Sequence, residues 1–291
     1  MVTLISRRAA LLGAAVLFSG SAFADEEKSA RFRARISELE RRHGGRLGVS
    51  LFDTQSGVRF GYRGDEAFPM CSTFKFLLVA AILQRVDANS DQLDRAIPFS
   101  GSDIETYAPV TKAHVGAGAM PVSELCAAAM VWSDNTAANL LLRELGGPDA
   151  LTRFVRSLGD KVTRADRTEP TLNTAIPDDP RDTTHPNAMI GDMSTLLLAS
   201  VLSPASRGML LAWMVGAQTG QKRLRAGLPP DWRAGDKTGT GDNATANTIA
   251  ILDPPGRAPI LAAVYYTLSN ASEAERNNVH ADIGRLIPEL F

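Results

Sequence analysis

The chain has 291 residues, 44% hydrophobic and 22% charged, enough for a large core and unlike a disordered protein. Lys and Arg number 31 against 32 Asp and Glu, a net charge of −1, so no basic excess points to nucleic acid. Two cysteines, Cys71 and Cys126, are too few for a disulfide framework, and two buried free thiols are expected.

At the start, Ser6-Arg7-Arg8 precedes an apolar run from Ala9 to Phe18, and Ala22-Phe23-Ala24 offers the small residues a signal peptidase reads. The pattern predicts a signal peptide over 1–24, twin-arginine export, and a mature protein in a bacterial periplasm with no stable membrane insertion. No later stretch has about 20 consecutive apolar residues, the length a spanning helix needs. Lys28 to His43 reads as a charged amphipathic helix with Phe32, Ile36 and Leu39 on one face, stopped by Gly44-Gly45. Leu47–Phe52 and Val58–Tyr62 flank the turn residues Asp53-Thr54-Gln55-Ser56-Gly57 and predict a hairpin.

From Phe74 to about Ala217 the pattern is helical. The apolar run Phe74–Leu83 predicts a buried helix, followed by helices over Val122–Trp132, Thr136–Leu145, Asp149–Leu158, Ser194–Leu202 and Arg207–Val215. A loop from Arg164 to Asn187 is long enough to be either disordered or functional. Within it Arg167 and Asp182 are a candidate closing pair; an exposed pair would contribute only up to about 1 kcal/mol, so burial decides its value. Strands are predicted over Ala234–Thr240, Thr245–Leu252 and Pro259–Thr267, and a final helix over Ala271–Leu290. This order predicts an α/β (α+β) protein. Residues 25–66 and 217–291 form an antiparallel sheet with terminal helices, 67–216 form an all-helical lobe, and the site lies in the cleft between them.

Four short motifs carry the chemistry. Ser72 and Lys75, three apart at a helix start, lie on one face and make a hydroxyl with a neighbouring base; alone they equally describe a surface serine and a snorkelling lysine. Ser133-Asp134-Asn135 joins two helical segments and offers a proton relay and an amide, or simply a helix cap. Glu169 and Asn173, four apart in the long loop, suit holding a water for general-base hydrolysis; otherwise Glu169 is a solvated acid. Lys237-Thr238-Gly239-Thr240 falls in a strand, where glycine admits a ligand to the edge and the lysine and hydroxyls suit a carboxylate; the alternative is one exposed lysine. His43, His114, His185 and His280 are scattered and sit in no metal motif. No G-x-S-x-G or C-x-x-C occurs, so no metal, cofactor or hydrolase triad is indicated, and the histidines are expected on surfaces or loops.

The succession Ser-x-x-Lys, Ser-Asp-Asn, Glu-x-x-Leu-Asn, Lys-Thr-Gly is an established signature, and with Tyr107 in Glu105–Thr111 and the block Trp132–Leu141 the mature chain resembles a class A serine β-lactamase throughout. The resemblance implies that Ser72 is acylated by the β-lactam, with Lys75 or a Glu169-bound water taking its proton. It implies that Ser133 protonates the lactam nitrogen and that Glu169 with Asn173 primes the deacylating water. Asn135 would bind the side-chain amide; Lys237, Thr238 and Thr240, with Gly239 between them, would bind the carboxylate; and Tyr107 would wall the cleft. The backbone N–H groups of Ser72 and Thr240 would form an oxyanion hole, each donor worth about 10²–10³ in rate. The Glu169–Pro170 bond would be cis.

Two departures stand out. The arginine that many members carry ten residues past the lysine is Asn247 here, and Arg223 fits a subset that places it earlier. Neither family disulfide can form, because the partner positions of Cys126 and Cys71 hold Val79 and Gly241. The expected partners are small β-lactams and β-lactamase inhibitors, and the expected state is a monomer. The rival readings are a penicillin-binding D,D-peptidase, which does not need Glu169, and a non-enzymatic β-lactam sensor, which would carry membrane spans.

Overall fold

A computed structural model describes residues 26–291; the predicted signal peptide lies outside the described residues. Residues 26–43 form helix α1, which buries Phe32, Ile36 and Leu39 as its period requires. The hairpin follows as β1 (Arg46–Asp53) and β2 (Arg59–Tyr62). Next come a short strand β3 (Phe68–Pro69), a 3₁₀ turn Cys71–Thr73, and α2 (Phe74–Asp87). Ten consecutive residues of α2, Phe74 to Leu83, are buried, which marks it as the central helix of the molecule. Strands β4 (Ala96–Pro98) and β5 (Ala119–Pro121) pair with each other before α3 (Val122–Val131), α4 (Asn135–Leu145) and α5 (Pro148–Ser157). The long loop carries β6 (Thr183–Thr184), paired with β3, and leads into α6 (Pro186–Leu197) and α7 (Pro204–Val215). The chain closes with β7 (Arg233–Gly241), β8 (Thr245–Asp253), β9 (Ile260–Thr267) and α8 (Glu273–Leu286).

The main sheet is antiparallel in the order β2-β1-β9-β8-β7, so the first and last segments of the chain build it together, as predicted. Both of its faces are covered. Ala250, Leu252, Val264 and Tyr266 join α1 and α8 in one core; Ile249, Ile251, Ala263 and Tyr265 join α2 and the other middle helices in the second. Adjacent residues of β8 and β9 thus alternate between two interiors, which explains why these strands read as continuous apolar runs rather than as clean alternation.

Two expectations are corrected. The sixth helix runs from Pro186 to Leu197, not Ser194 to Leu202. Pro186 opens it, because proline at a first helical position loses no hydrogen bond; in the sequence alone that proline reads as the end of the Arg164–Asn187 loop. His280 is fully buried on α8 rather than exposed. Its ring nitrogens lie 2.9 Å from the Ala246 carbonyl and 3.1 Å from Thr248 Oγ1. Burial, aided by the Arg223 charge, pushes its pKa down to about 3, so it is a neutral strut between helix and sheet.

Candidate active site

Ser72 is presented by the 3₁₀ turn at the foot of α2. Cys71, the residue before it, has φ 45°, a left-handed conformation that a β-substituted residue rarely adopts. The turn is held from the sheet side. Asn247 Nδ2 donates to the carbonyls of Pro69 (2.8 Å) and Met70 (3.1 Å). Gly239 of β7 lies so near that a Cβ there would stand 2.7 Å from Met70 O and 3.3 Å from Ser72 N. Glycine in the Lys-Thr-Gly motif therefore lets the strand edge, and with it Thr240, reach the nucleophile's turn.

The Ser72 hydroxyl is 3.0 Å from Lys75 Nζ and 3.2 Å from Glu169 Oε1. Lys75, one helical turn on, is fully buried. Its amine also reaches Glu169 Oε1 (2.9 Å), Asn135 Oδ1 (2.6 Å) and the Ser133 carbonyl (2.8 Å). Burial lowers its pKa, while the Glu169 carboxylate opposes that shift, and both the amine and the acid touch the alcohol. Ser133 has φ 60°, and Asp134 fixes this junction of helices. The buried Asp134 carboxylate accepts from the N–H groups of Val110, Thr111 and Ala137, each at 2.9 Å. Asp134 is the cap of α4, and that cap fixes the positions of Ser133 and Asn135 on either side of it.

Lys237 is also fully buried; its amine donates to Ser133 Oγ at 2.9 Å and to the Thr238 carbonyl at 2.8 Å. No carboxylate pairs with it among the described residues, and burial together with Lys75 lowers its pKa strongly. A buried cation without an anion is costly, and a site built around one favours an incoming carboxylate. Arg223 reinforces the same end. Its guanidinium donates to Gly239 O and Asn247 O at 2.8 Å and to Thr240 Oγ1 at 2.7 Å, and Asn277 Oδ1 accepts from its Nε at 3.1 Å. Burial lowers its pKa to about 10.

Glu169 is aimed by the long loop. Its backbone is clamped by Asn139, which accepts from Glu169 N and donates to Glu169 O, both at 2.9 Å. Asn173 Nδ2 donates to Glu169 Oε2, and the Glu169–Pro170 bond is cis. Arg167 and Asp182 do pair, at 2.6 Å and largely buried, and Asp182 also accepts from the N–H groups of Asp166 and Arg167. These bonds give the loop the constraint its length demanded.

Ser72, Tyr107, Ser133, Asn135 and Asn173 line one cavity of about 470 Å³, together with Thr238, Thr240 and Arg223. Lys75, Glu169 and Lys237 lie directly behind that wall, bonded to the groups that form it. Tyr107 stands at the mouth, half exposed. Sequence reading missed Asn139, Asn277 and Thr219, whose hydroxyl is 2.6 Å from Thr238 Oγ1. Each acts on a known motif from a distant stretch, and nothing local to it signals that.

A nucleophilic serine with a buried amine and acid, set between an antiparallel sheet and a helical layer, defines a serine acyl-transfer hydrolase. A family model described as the β-lactamase enzyme family matches residues 31–291. β-Lactamase CTX-M-8 of Citrobacter amalonaticus is 44% identical over 257 residues, 88% of each chain. β-Lactamase OXY-2 of Klebsiella oxytoca is 41% identical over 286 residues, 97% of each. Among solved structures, an ancestral (GNCA) class A β-lactamase superposes with TM-score 0.88 at 58% identity, covering 89% of this chain and all of its own. A β-lactamase from Xanthomonas campestris gives 0.88 at 49% identity over 90% of this chain and 98% of its own. The chain belongs to the class A β-lactamases, serine hydrolases that open the β-lactam amide bond and confer antibiotic resistance.

Proposed function

We propose that Ser72 attacks the β-lactam carbonyl, its proton passing to the Lys75–Glu169 pair, and that the backbone N–H groups of Ser72 and Thr240 receive the oxyanion. Ser133, bonded to Lys237, hands a proton to the lactam nitrogen as the ring opens. Glu169, held by Asn173, then deprotonates the water that releases the acyl group. Lys237, Thr238, Thr240 and Arg223 bind the substrate carboxylate: the hydroxyls and Arg223 from the cavity wall, Lys237 as a charge behind it. Asn135 takes the side-chain amide and Tyr107 walls the entrance. The observation that carries this reading is the position of the Ser72 hydroxyl between Lys75 at 3.0 Å and Glu169 at 3.2 Å. A peptidase has no use for the second of these contacts.

Glu169→Ala should still be acylated by penicillin but release product about 10²–10⁴-fold more slowly, the usual worth of a general base. Intact-mass spectrometry should show a penicilloyl adduct persisting on the variant and none on Ser72→Ala. An adduct-free Glu169→Ala protein would remove Glu169 from deacylation.

We also read the chain as one of the Arg223-bearing subset, exported by the twin-arginine route to the periplasm as a monomer. Residues 25–66 and 217–291 are read as a sheet lobe and 67–216 as a helical lobe. The chain order supports that division: the whole main sheet and its two terminal helices come from the first pair of segments, and α2 to α7 come from the second.

A further inference from the structure

The carboxylate end of the cavity carries an acid that the reaction does not use. Glu273, the first residue of α8, contributes to the same wall as Thr219, Arg223, Thr238 and Thr240. Among the described residues it is the only acid on that wall, because Glu169 lies behind Ser72. The neighbouring acid of the helix is committed: Glu275 closes the capping box, its carboxylate accepting from Ser272 N and Oγ at 2.7 Å. Glu273 is exposed and makes no ion pair or hydrogen bond among the described residues. The other α8 charge within reach of Arg223, Arg276, donates to the Ala271 carbonyl at 2.6 Å and takes no part in the cavity wall. Its charge also acts on Arg223, as does that of Glu273, in opposite directions.

An unpaired carboxylate beside an anion pocket repels the anion that the pocket is built to hold, unless the ligand brings a positive charge of its own. In a cephem the ring carbon next to the one bearing the carboxylate carries the C3 substituent. A carboxylate held by Thr238, Thr240 and Arg223 would bring that adjacent substituent toward the wall they share with Glu273. Penams carry only methyl groups at the corresponding edge and cannot use it.

We propose that Glu273 is a specificity determinant that favours cephems whose C3 substituent bears a permanent positive charge, such as a pyridinium or a quaternary ammonium. The inference rests on the reading that this end of the cavity binds the carboxylate. Its contribution is through space and partly screened, so it acts on ground-state and transition-state binding alike and falls in KM rather than kcat.

The test uses two cephems with the same thienylacetamido side chain, one with an acetoxymethyl and one with a pyridiniummethyl group at C3. The quantity read is the ratio of their kcat/KM values, cationic over neutral. Glu273→Gln should lower that ratio about two- to five-fold, the worth of one exposed charge pair. Glu273→Lys should lower it further, and the three proteins should converge at about 1 M salt, where such charges are screened. A ratio unchanged in both variants, or an equal loss on both cephems, overturns the proposal. Arg223→Ala, run alongside, should raise KM for both cephems. If it does not, the carboxylate reading itself falls, and an unchanged Glu273 ratio with that effect intact sinks the specificity role alone.

Discussion

Arg223 and Lys237 are two basic groups held almost wholly in the interior, and the chain makes them tolerable in different ways. The guanidinium has four acceptors, two of them strand carbonyls, so it stitches β7 to β8 as well as charging the pocket. The amine has only a hydroxyl and a carbonyl, and in the proposed mechanism the substrate carboxylate is its counter-ion. Arg223→Ala should therefore reduce kcat/KM about ten- to hundred-fold, as the loss of charge-assisted hydrogen bonds does, chiefly by raising KM. Asn277→Ala, which frees only the guanidinium Nε, should cost less. Steady-state kinetics on one penicillin checks both; an Asn277 effect as large as the Arg223 effect would mean that orientation matters more than charge.

Among the elements, α6 holds a group whose ionisation affects the fold. Asp192, 2% exposed, faces Asp160, and each carboxyl has a buried Oδ2 with no conventional partner. Burial, then the Asp160 charge, pushes the Asp192 pKa up to about 9, with Arg156 opposing. With its pKa there, Asp192 is the protonated member of the pair at neutral pH. A carboxyl raised in the folded state contributes stability that is complete below the unfolded value of 3.8 and lost as pH climbs through about 9. Asp192→Asn keeps a donor for Asp160 without the titration. The gap in melting temperature between this variant and the parent should widen from about pH 5 to pH 8, as the parent loses up to about 1.4 kcal/mol per pH unit over that range; thermal melts with a constant gap would refute the raised Asp192 carboxyl.

This pair also shows what the sequence could and could not disclose. Motifs whose members lie within one turn, such as Ser72 with Lys75 or Glu169 with Asn173, were legible because helix and loop geometry alone brings them together. The strands were legible because apolar continuity survives burial on both faces. Asp192, Asn247 and Asn277 were not, because each acts on a residue more than 30 positions away and has no signature of its own until the fold is known. The misplaced start of α6 has the same root: a proline that opens a helix looks like one that ends a loop.

At the scale of the whole molecule, the two thiols lie in the interior, Cys71 under the nucleophile's turn and Cys126 on α3, both fully buried and unbridged. Burial raises both thiol pKa values and so withholds the reactive thiolate. A thiol reagent should titrate neither in the native mature protein and both in denaturant; one group reacting without denaturant would contradict this packing. Under the proposed twin-arginine export, a fold that needs no oxidation can be completed first, so Arg7→Lys with Arg8→Lys should leave active enzyme in the cytoplasm, which fractionation would reveal. The asparagine that reaches from β8 to the two carbonyls ahead of Ser72 has a last consequence. The catalytic alcohol is moored to the same platform that forms the wall of the binding site. An outward shift of β8 would therefore have to stretch these two bonds or carry the turn that bears Ser72 along with it.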